Sequence, residues 1–550
     1  MRLGRRTLLG AGLAAPLVGS LAACGEAPEQ TGRMLRSAAR LPEAYATPLP
    51  LPPVKRPSGD LIEIAQRPAT VEILPGLRTE MMTYDGVFPG PTLETRRGQA
   101  VTVRHTNSLT LPTATHLHGG HTPADSDGWP TDLLLPPGFE PPAAEKPGAD
   151  HSGHDGGHDA GHAGHGGGPE AMHDPGAQVT TGKRDYRYPL EQPAATLWYH
   201  DHRMDFTAPQ VWRGLAGFHI IRDDEEDALS LPRGEREIPL MIADRAFDED
   251  GALRYPALDP ELLGQPGVED RYMAGVLGDV ILVNGAPWPE AEVDAAQYRL
   301  RLLNASNARR YALRLRTADG KPVAFTQIGS DGGLLARPVE HDVVTMASGE
   351  RFDVVVDFRS LAPGTTVELR NDLGTGRTAQ VMRFRIARRA PDDVRLADRL
   401  ADRLADRLAD RLAERLADVP EPEKPEGAVV RKWHFRREAV HGRMGWGING
   451  KPFDPAVPQA QVPLDNTEIW EFFTDAHHPV HVHLSPFQVL RRGNRGPGPM
   501  DHGWKDTVDV RPYEAVRVRV RFEKYAGRFL IHCHNLEHED MAMMAGFETI

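Results

Sequence analysis

Four triplets of the form His-x-His recur along the chain and constrain its fold more than any other feature. At 24 histidines in 550 residues, about one such triplet is expected by chance. On a β-strand, residues i and i+2 point to the same face, so each triplet directs two imidazoles to one place. The sequence therefore predicts strands whose eight histidines converge. The triplets are His116-Leu117-His118, His200-Asp201-His202, His481-Val482-His483 and His532-Cys533-His534.

The middle residue of the last triplet predicts a second metal site. Cys533 points to the opposite face of its strand from His532 and His534, because neighbouring side chains alternate. His478 has the opposite strand parity to His481, which puts it on the same side as the cysteine if the chain stays extended there. The second site therefore begins with one thiolate and one imidazole.

The segment beyond the cysteine adds two candidate ligands. His538 and Met543 follow Cys533 by five and ten residues, within reach of a loop that folds back over it. Two imidazoles, a thiolate and a weak axial thioether are the ligands of a blue copper centre. Zinc would also accept two His and a Cys, but a methionine ligand argues against zinc.

Period-2 alternation dominates the rest of the chain and predicts strands with one buried face. Val516, Val518 and Val520 alternate with arginines, and the stretches at 298–302 and 313–316 repeat this pattern. Helical periodicity is nearly absent, and 54 Gly and 48 Pro indicate many turns. We therefore expect an all-β protein built of sandwiches or barrels.

Charged and Pro-rich stretches predict the boundaries between domains. These stretches lie near 223–234 and at 389–428. The expected division is a leader at 1–24, a linker at 25–60, and domains at 61–228, 229–388 and 429–550, with a second linker at 389–428.

The second linker contains a Leu-Ala-Asp-Arg repeat from Leu396 to Asp418. Its composition strongly favours a helix, but a period of four makes the leucines spiral around that helix instead of forming one stripe. We interpret the repeat as an interdomain linker. The alternative is a helix that binds a partner.

An insertion in the first domain, at 137–182, is rich in Gly, Pro, Asp and His and cannot bury a core of its own. Imidazoles beside carboxylates in a mobile loop bind copper or zinc loosely. Two interpretations stay open, namely capture of copper ions or a tolerated low-complexity loop. The histidines of the insertion are at 151, 154, 158, 162, 165 and 173.

The N-terminus predicts export. Arg2, Arg5 and Arg6 precede an apolar stretch that is too short and too broken by Gly and Pro to span a membrane. The Arg5-Arg6 pair resembles a twin-arginine signal, although no Phe follows it. Residues 21–24 resemble a bacterial lipobox, in which Cys24 would be lipidated; the alternative is ordinary cleavage. We expect a periplasmic or cell-surface protein, with a lipid anchor to the membrane if Cys24 is modified.

The charge balance excludes nucleic acid as an expected partner. Lys and Arg number 64 against 77 Asp and Glu, a net charge of −13. Such a chain lacks the basic surface that binding to a phosphate backbone needs.

Eight ordered motifs give the chain, from about residue 60 to 550, a specific resemblance. It resembles the multicopper oxidases with three cupredoxin-like Greek-key domains, in the group of the spore-coat laccase, bilirubin oxidase and phenoxazinone synthase. The motifs are GPTLETRRGQAVTVRHTN, HLHGG followed by SDGWPTD, LWYHDH, ILVNGAPWPEAEV, NASNARRY, IGSDGGLL, GWKDT and GRFLIHCHNLEHEDMAMM.

The resemblance implies four copper ions and a role for each ligand. The type 1 copper would take His478, Cys533 and His538, with Met543 axial, and the type 2 copper would take His116 and His481. The type 3 pair would take His118, His200 and His534 on one ion and His202, His483 and His532 on the other.

The resemblance also implies a laccase-like reaction with a small electron donor and dioxygen. Phenols or aromatic amines would be oxidised one electron at a time at the type 1 site, and dioxygen would be reduced to water at the three-copper cluster. Asp127 and Glu539 match acidic positions that the family uses to supply protons. The alternative is a turn-forming Asp and a solvated Glu.

Two other functions remain open at this point. The His-rich insertion and the export signal suit a cuprous oxidase for copper tolerance, although a Met-rich insertion is missing. A non-catalytic copper-sequestering lipoprotein is the other, but it would not need a cysteine between two cluster histidines.

Overall fold

The computed structural model describes residues 30–140, 174–390, 415–421, 427–440 and 443–550. Three predicted features lie outside the described residues: the export signal with Cys24, the histidines at 151–173, and the Leu-Ala-Asp-Arg repeat up to residue 414. Strands dominate the rest, so the expected all-β class is confirmed. Among the described helices, none has the length and apolar character needed to cross a membrane.

Strands follow one another along the described chain with few helices between them. The strands up to residue 222 are β1 (Arg33–Leu35), β2 (Val54–Lys55), β3 (Leu61–Val71), β4 (Thr79–Tyr84), β5 (Gly90–Arg96), β6 (Val101–Asn107), β7 (Thr115–His118), β8 (Leu134–Leu135), β9 (Thr180–Thr181), β10 (Lys183–Tyr188), β11 (Ala195–Asp201) and β12 (Ala216–Arg222). Those from 237 to 389 are β13 (Glu237–Arg245), β14 (Val276–Gly278), β15 (Val280–Val283), β16 (Ala286–Pro287), β17 (Glu290–Ala295), β18 (Gln297–Asn304), β19 (Tyr311–Thr317), β20 (Pro322–Val323), β21 (Phe325–Ser330), β22 (Gly333–His341), β23 (Val344–Met346), β24 (Arg351–Asp357), β25 (Thr366–Asn371) and β26 (Gln380–Arg389).

The strands beyond residue 429 complete the chain. They are β27 (Val430–Val440), β28 (Arg443–Ile448), β29 (Ala460–Val462), β30 (Thr467–Thr474), β31 (His478–Val482), β32 (Phe487–Arg492), β33 (Thr507–Val510), β34 (Ala515–Arg521), β35 (Gly527–Cys533) and β36 (Met544–Thr549). Within the residues that the structure describes, the α-helices are α1 (Thr207–Trp212), α2 (Asp224–Ala228) and α3 (Leu536–Glu539), and single 3-10 turns lie at Ala124–Ser126, Gly234–Arg236, Asp270–Tyr272 and Gly376–Ala379.

Six sheets form three sandwiches, each with its own apolar core. In the first sandwich, the sheet β10-β6-β3-β4 packs on β2-β5-β12-β11-β7. In the second, β16-β15-β13-β18-β24-β21-β22 packs on β17-β26-β25-β19-β20, with β23 beside β19. In the third, β28-β27-β30-β34-β32 packs on β29-β36-β35-β31-β33. We propose that these sandwiches are the domains expected at 61–228, 229–388 and 429–550.

Alternation along β34 explains how the third core forms. Val516, Val518 and Val520 are at most 1% exposed, while Arg517 and Arg519 between them are only half-buried. The valines lie in the core between the two sheets because side chains alternate across a strand.

The N-terminal segment corrects one expectation. Its Pro- and Ala-rich composition predicted a linker over 25–60, but from residue 30 onwards this segment is part of the fold. β1 pairs in parallel with β14 in a separate two-stranded sheet, and β2 pairs with β5 of the first sandwich. Leu35 is 6% exposed, and the Ser37 backbone N–H donates to Asp279 Oδ2 at 2.9 Å. Composition cannot reveal such pairing, because the partner strands are distant in sequence.

The end of the predicted insertion also belongs to the fold. Asp174 is 6% exposed and accepts hydrogen bonds from Trp129 Nε1 at 3.1 Å and Thr131 Oγ1 at 2.9 Å. It also forms an ion pair with Arg528 of the third sandwich at 2.8 Å. The return from the insertion is therefore anchored between the first and third sandwiches.

Candidate metal centres

Two neighbouring strands of the first sandwich carry two histidine pairs. His116 and His118 lie on β7, and His200 lies on β11 directly opposite His116. His202 follows the last residue of β11. All four side chains are buried, with at most 1% of their surface exposed. Antiparallel pairing and strand parity therefore bring both pairs to one place.

Two neighbouring strands of the third sandwich repeat this arrangement. His481 on β31 pairs with His532 on β35, and His483 and His534 follow the ends of those strands. His481 Nε2 lies 3.4 Å from Nε2 of His116 in the first sandwich. These eight rings, here called the histidine cluster, therefore meet between the first and third sandwiches.

The ring nitrogens of the histidine cluster fit copper ligands. Nδ1 of His118 and Nε2 of both His200 and His534 are buried and have no hydrogen-bond partner, as expected of nitrogens that face a metal. Burial lowers the pKa of His200 to about 3 and that of His202 to about 4. These two rings are therefore neutral, which is the form that binds metal. Ligand nitrogens lie within 4.8 Å of one another in His116/His118/His481, His118/His200/His534 and His202/His483/His532.

Cys533 faces a different site. Its Sγ lies 3.3 Å from His478 Nδ1 and 3.6 Å from His538 Nδ1, and those two nitrogens are 3.1 Å apart. The backbone N–H of Asn535 donates to Sγ at 3.4 Å. We call His478, Cys533 and His538 the cysteine site. Its two imidazoles and one sulfur in a buried pocket fit a blue copper ion.

Met543 lies beside the cysteine site through backbone contacts. The backbone N–H of Cys533 donates to the Met543 carbonyl at 3.1 Å, and the Met543 N–H donates to the carbonyl of His538 at 3.1 Å. The Met543 side chain is fully buried in the third core. The loop after α3 thus folds back over the cysteine, as the spacing predicted.

The two predicted acids lie next to the histidine cluster. Asp127 Oδ2 lies 2.7 Å from His483 Nδ1, and its carbonyl lies 2.5 Å from His116 Nδ1. Glu539 Oε2 lies 3.1 Å from His532 Nδ1. Both carboxylates are buried, and burial raises the pKa of Asp127 well above its usual range. The solvated alternative for Glu539 is therefore wrong.

Asp506 and Thr507 also hold cluster histidines, although the sequence motifs assigned no role to either residue. Asp506 Oδ1 lies 3.0 Å from His118 Nε2, and its carbonyl lies 2.9 Å from His481 Nδ1. Thr507 Oγ1 lies 3.0 Å from His118 Nε2 and 3.2 Å from His481 Nδ1. Both residues belong to the GWKDT motif, which was the only sequence signal for them.

A turn of the second sandwich covers the outer edge of the cysteine site. Asn535 Nδ2 donates to the carbonyl of Ala274 at 3.2 Å and lies 3.3 Å from Nε2 of the His538 ring. The Trp446 ring centroid lies 3.9 Å from that of His538, and Trp446 Nε1 donates to the carbonyl of Met273 at 2.9 Å. His538 is consequently fully buried.

A cavity of about 560 Å³ opens beside the histidine cluster. Its lining includes Gly119 and His121 from the first sandwich and Val482, Trp504 and Asp506 from the third. Asp506 lines the cavity and also contacts two cluster histidines, so one side chain lies between the cavity and their rings.

Comparisons with known proteins agree with this geometry. Residues 420–550, and separately 66–139 with 161–226, match family models described as multicopper oxidase. A laccase from Bacillus stratosphericus is 33% identical over 92% of this chain and 99% of its own length. A bilirubin oxidase from Albifimbria verrucaria is 32% identical over 94% of this chain and 84% of its own. A multi-copper oxidase structure from Pediococcus acidilactici has a TM-score of 0.72 and 29% identity, covering 94% of this chain and 93% of that one.

Proposed function

The chain belongs to the multicopper oxidase family, so it is an oxidoreductase that carries four copper ions and uses dioxygen; we propose that it is laccase-like and oxidises phenols and aromatic amines. Its laccase and bilirubin oxidase relatives support this proposal. One observation carries it: Cys533 faces the cysteine site, while its neighbours His532 and His534 face the histidine cluster.

We assign each copper ion to ligands of this chain. Bound copper supplies one-electron oxidation of the donor at the type 1 site and four-electron reduction of dioxygen to water at the other three ions. The type 1 copper would be held by His478, Cys533, His538 and Met543; the type 2 copper by His116 and His481; and the type 3 pair by His118, His200 and His534 on one ion and His202, His483 and His532 on the other.

Strand β35 connects the two half-reactions. Cys533 is joined by backbone bonds to His532 and His534, which gives electrons a short covalent path between the sites. In this proposal the donor would react at the cysteine site, and dioxygen would approach the histidine cluster from the side of the cavity that Asp506 lines. The two substrates therefore never need to meet.

Asp127 and Glu539 are proposed to supply protons. Both carboxylates are buried beside cluster histidines. Asp127 Oδ1 has no hydrogen-bond partner, so it is free to hold a proton and pass it on. Burial raises the pKa of the Asp127 carboxyl, which suits Asp127 to that role.

A second candidate donor is Cu(I), and the covered edge of His538 favours it. A phenol ring cannot touch His538, because the His538 ring is fully buried and the Trp446 ring packs against it. The other ring, His478, has its Nε2 at 3.4 Å from Asp475, whose side chain is 31% exposed. A small cation would be attracted to that carboxylate without entering a pocket.

Oxygen uptake by the copper-loaded protein, measured with a phenolic donor and with Cu(I), separates these functions. Faster uptake with the phenol is expected for the laccase-like enzyme. Preferential uptake with Cu(I) that disappears when residues 150–173 are deleted would support the cuprous oxidase. No uptake with any donor would support copper sequestration. As a control, deletion of residues 397–412, four whole repeats, should change neither activity.

Cys533→Ser tests the type 1 assignment. It should abolish the blue absorption and turnover, because an alcohol does not replace a thiolate ligand. Full activity in this variant would show that the assignment is wrong.

We also propose that the protein is exported and that Cys24 carries a lipid anchor. The Arg-rich start, the apolar stretch and the lipobox-like residues 21–24 support this. Mass measurement of the mature N-terminus tests it, and Cys24→Ala should release the protein from the membrane fraction. Membrane association that survives this change would contradict lipidation.

A further inference from the structure

The turn of Ser348, Gly349, Glu350 and Arg351 brings the second sandwich against the histidine cluster. It leads into β24, and no histidine of the cluster comes from the described residues of the second sandwich. Gly349 has a positive φ of 86°. A Cβ there would lie 2.9 Å from Cδ2 of His534 and 3.1 Å from Cε1 of His118. Only glycine lets the backbone pass this close to both rings.

Arg351 in this turn joins all three sandwiches. Its guanidinium donates to both oxygens of Asp506 in the third sandwich, at 2.7 and 2.5 Å. It also donates to the carbonyl of Thr196 in the first sandwich at 2.9 Å and to those of Gly349 and Asp331 at 3.1 Å. All five N–H donors of this fully buried group are therefore used.

Asp506 transmits this contact to His118. Its Oδ1 accepts from Arg351 and from the Thr507 hydroxyl at 2.9 Å, and it lies 3.0 Å from His118 Nε2. A carboxylate fixes the proton of the imidazole on the nitrogen that faces it. His118 therefore presents Nδ1, its unpartnered nitrogen, to the cluster, whereas His200 presents Nε2.

Ser348 acts on His534 directly. Its hydroxyl donates to the carbonyl of Ser306, so its oxygen is free to accept. That oxygen lies 3.3 Å from Nδ1 of His534. A proton held on Nδ1 leaves Nε2 of His534, which has no partner, facing the cluster.

We propose that Ser348, Gly349 and Arg351 are positioning residues for the copper ion held by His118, His200 and His534. They select which nitrogen His118 and His534 present and fix the plane of each ring. The second sandwich thus completes a site to which it gives no ligand. This inference rests on the ligand assignment proposed above. It adds that the histidine cluster needs the second sandwich to orient two of its ligands.

Arg351→Lys and Ser348→Ala test the proposal in the full-length protein. Lysine keeps the charge but has three donors and no planar fork, so it cannot hold Asp506, Thr196 and Asp331 together. Each variant should lower the affinity of the three-copper cluster by about 10- to 100-fold, the usual effect of losing a partner that orients a metal ligand. Copper per chain and the type 3 near-ultraviolet band should fall, while the blue type 1 absorption is kept.

Two matched variants control for loss of a buried contact. Arg299→Lys changes another buried arginine, which has three carboxylate partners, and Ser306→Ala removes a buried hydroxyl bonded to Tyr311. Both should keep four copper ions. Equal copper loss in variants and controls, or full cluster copper in Arg351→Lys and Ser348→Ala, would overturn the proposal.

A failure of the ligand assignment gives a different result. If it is wrong, replacing a proposed ligand, as in His534→Ala, leaves the type 2 and type 3 signals of the copper-loaded protein intact. Should Arg351→Lys fail to fold, Ser348→Ala decides, since its only change is one hydroxyl. Thermal unfolding of the copper-free proteins separates loss of ligand positioning from loss of stability. Copper-free Ser348→Ala should unfold within a few degrees of the wild type, although the variant loses cluster copper.

Discussion

Asp127 combines two tasks at the scale of a single residue. Its Oδ2 lies against Nδ1 of His483 and its carbonyl against Nδ1 of His116, which holds both rings in place. Its Oδ1 has no partner. Because burial also raises the pKa of this carboxyl, it can hold a proton as well as orient a ligand. A substitution that preserves shape should separate the two tasks.

Asp127→Asn keeps an oxygen for His483 but cannot transfer a proton. We expect turnover to fall about 100-fold, within the usual contribution of general acid–base catalysis, with copper content and blue absorption retained. Oxygen uptake and copper analysis check this. Asp125→Asn changes an exposed neighbour and should have no effect. Copper loss in Asp127→Asn would show that holding the rings is the main task.

Single site residues were predictable from the sequence where their ligand chemistry and their alternating direction along a strand are enough to identify them. The spacing around Cys533 divides the ligands into two sites, because neighbouring side chains on a strand point apart. Arg351 and Ser348 were not predictable, since they act through contacts with residues distant in sequence. Asp506, for example, is 388 residues from His118. An isolated Arg or Ser in a strand-rich chain carries no signal for such a contact.

At the scale of elements, one turn determines access to the cysteine site. The turn around Met273 and Ala274 is fixed on both sides. Trp446 of the third sandwich donates to Met273, and the Val276 N–H donates to Glu537 at 3.1 Å. Because the turn is held on both sides, it forms a fixed cover over the cysteine site. A donor must therefore transfer its electron through this turn, or it does not react.

Trp446→Ala should open this cover. Removing the indole ring exposes one face of His538, so kcat/KM for a bulky phenol should rise roughly tenfold, about 1.4 kcal/mol. The value for a small outer-sphere donor such as ferrocyanide should stay constant. Steady-state kinetics with both donors check the ratio, and Met444→Ala, an exposed change on the same strand, serves as control. An unchanged ratio would mean that the turn does not restrict donors.

The elements themselves were predictable in type but not in pairing. Period-2 alternation identifies strands such as β34, because burying one face of a strand makes apolar and polar residues alternate along the sequence. The pairing of β1 with β14 left no pattern, since those strands are short and lie far apart in the chain.

At the scale of the whole molecule, the histidine cluster joins the first and third sandwiches. Four of its rings come from each, and Nε2 atoms of His202 and His532 meet at 3.4 Å across the interface. The cysteine site, in contrast, takes its ligands from the third sandwich alone. Copper in the cluster should therefore stabilise the assembly more than copper at the cysteine.

Removing all copper should lower the melting temperature and expose the interface to proteolysis. A ligand present at 100 times its Kd contributes about 2.7 kcal/mol. Calorimetry of loaded and copper-free protein measures the change. Copper-loaded Cys533→Ser, which loses only the type 1 ion, should retain most of this stability. If it melts as early as the copper-free protein, the cluster does not hold the sandwiches together.

A second junction, between the first and second sandwiches, could not be read from strand alternation. Arg299 and Arg301 of β18 occupy the positions that alternation assigns to the solvent face, yet each is 1% exposed. Glu226 of α2, following the first sandwich, lies 2.8 Å from Arg299 and 3.2 Å from Arg301. This face of β18 is covered by a neighbouring domain instead of solvent. Contact between domains depends on tertiary structure, so the alternation within one strand does not reveal it.

Glu226→Gln should destabilise this junction in a pH-dependent way. Burial alone would raise the pKa of Glu226, but Arg301, Arg299 and Arg222 outweigh it and lower the pKa to about 2. Because this is below the unfolded value of 4.5, the stabilisation is complete above about pH 4.5 and is lost as the pH falls towards 2. The lowered pKa corresponds to about 3 kcal/mol.

Calorimetry should therefore show a lower melting temperature for Glu226→Gln at pH 7, with the gap to wild type closing between pH 4.5 and 2. Glu225→Gln is the matched control, since its neighbouring carboxylate is 62% exposed and should contribute little. A gap of constant size across this range would mean that the arginines act on Glu226 through packing and not through its charge, because only the charge is lost on protonation.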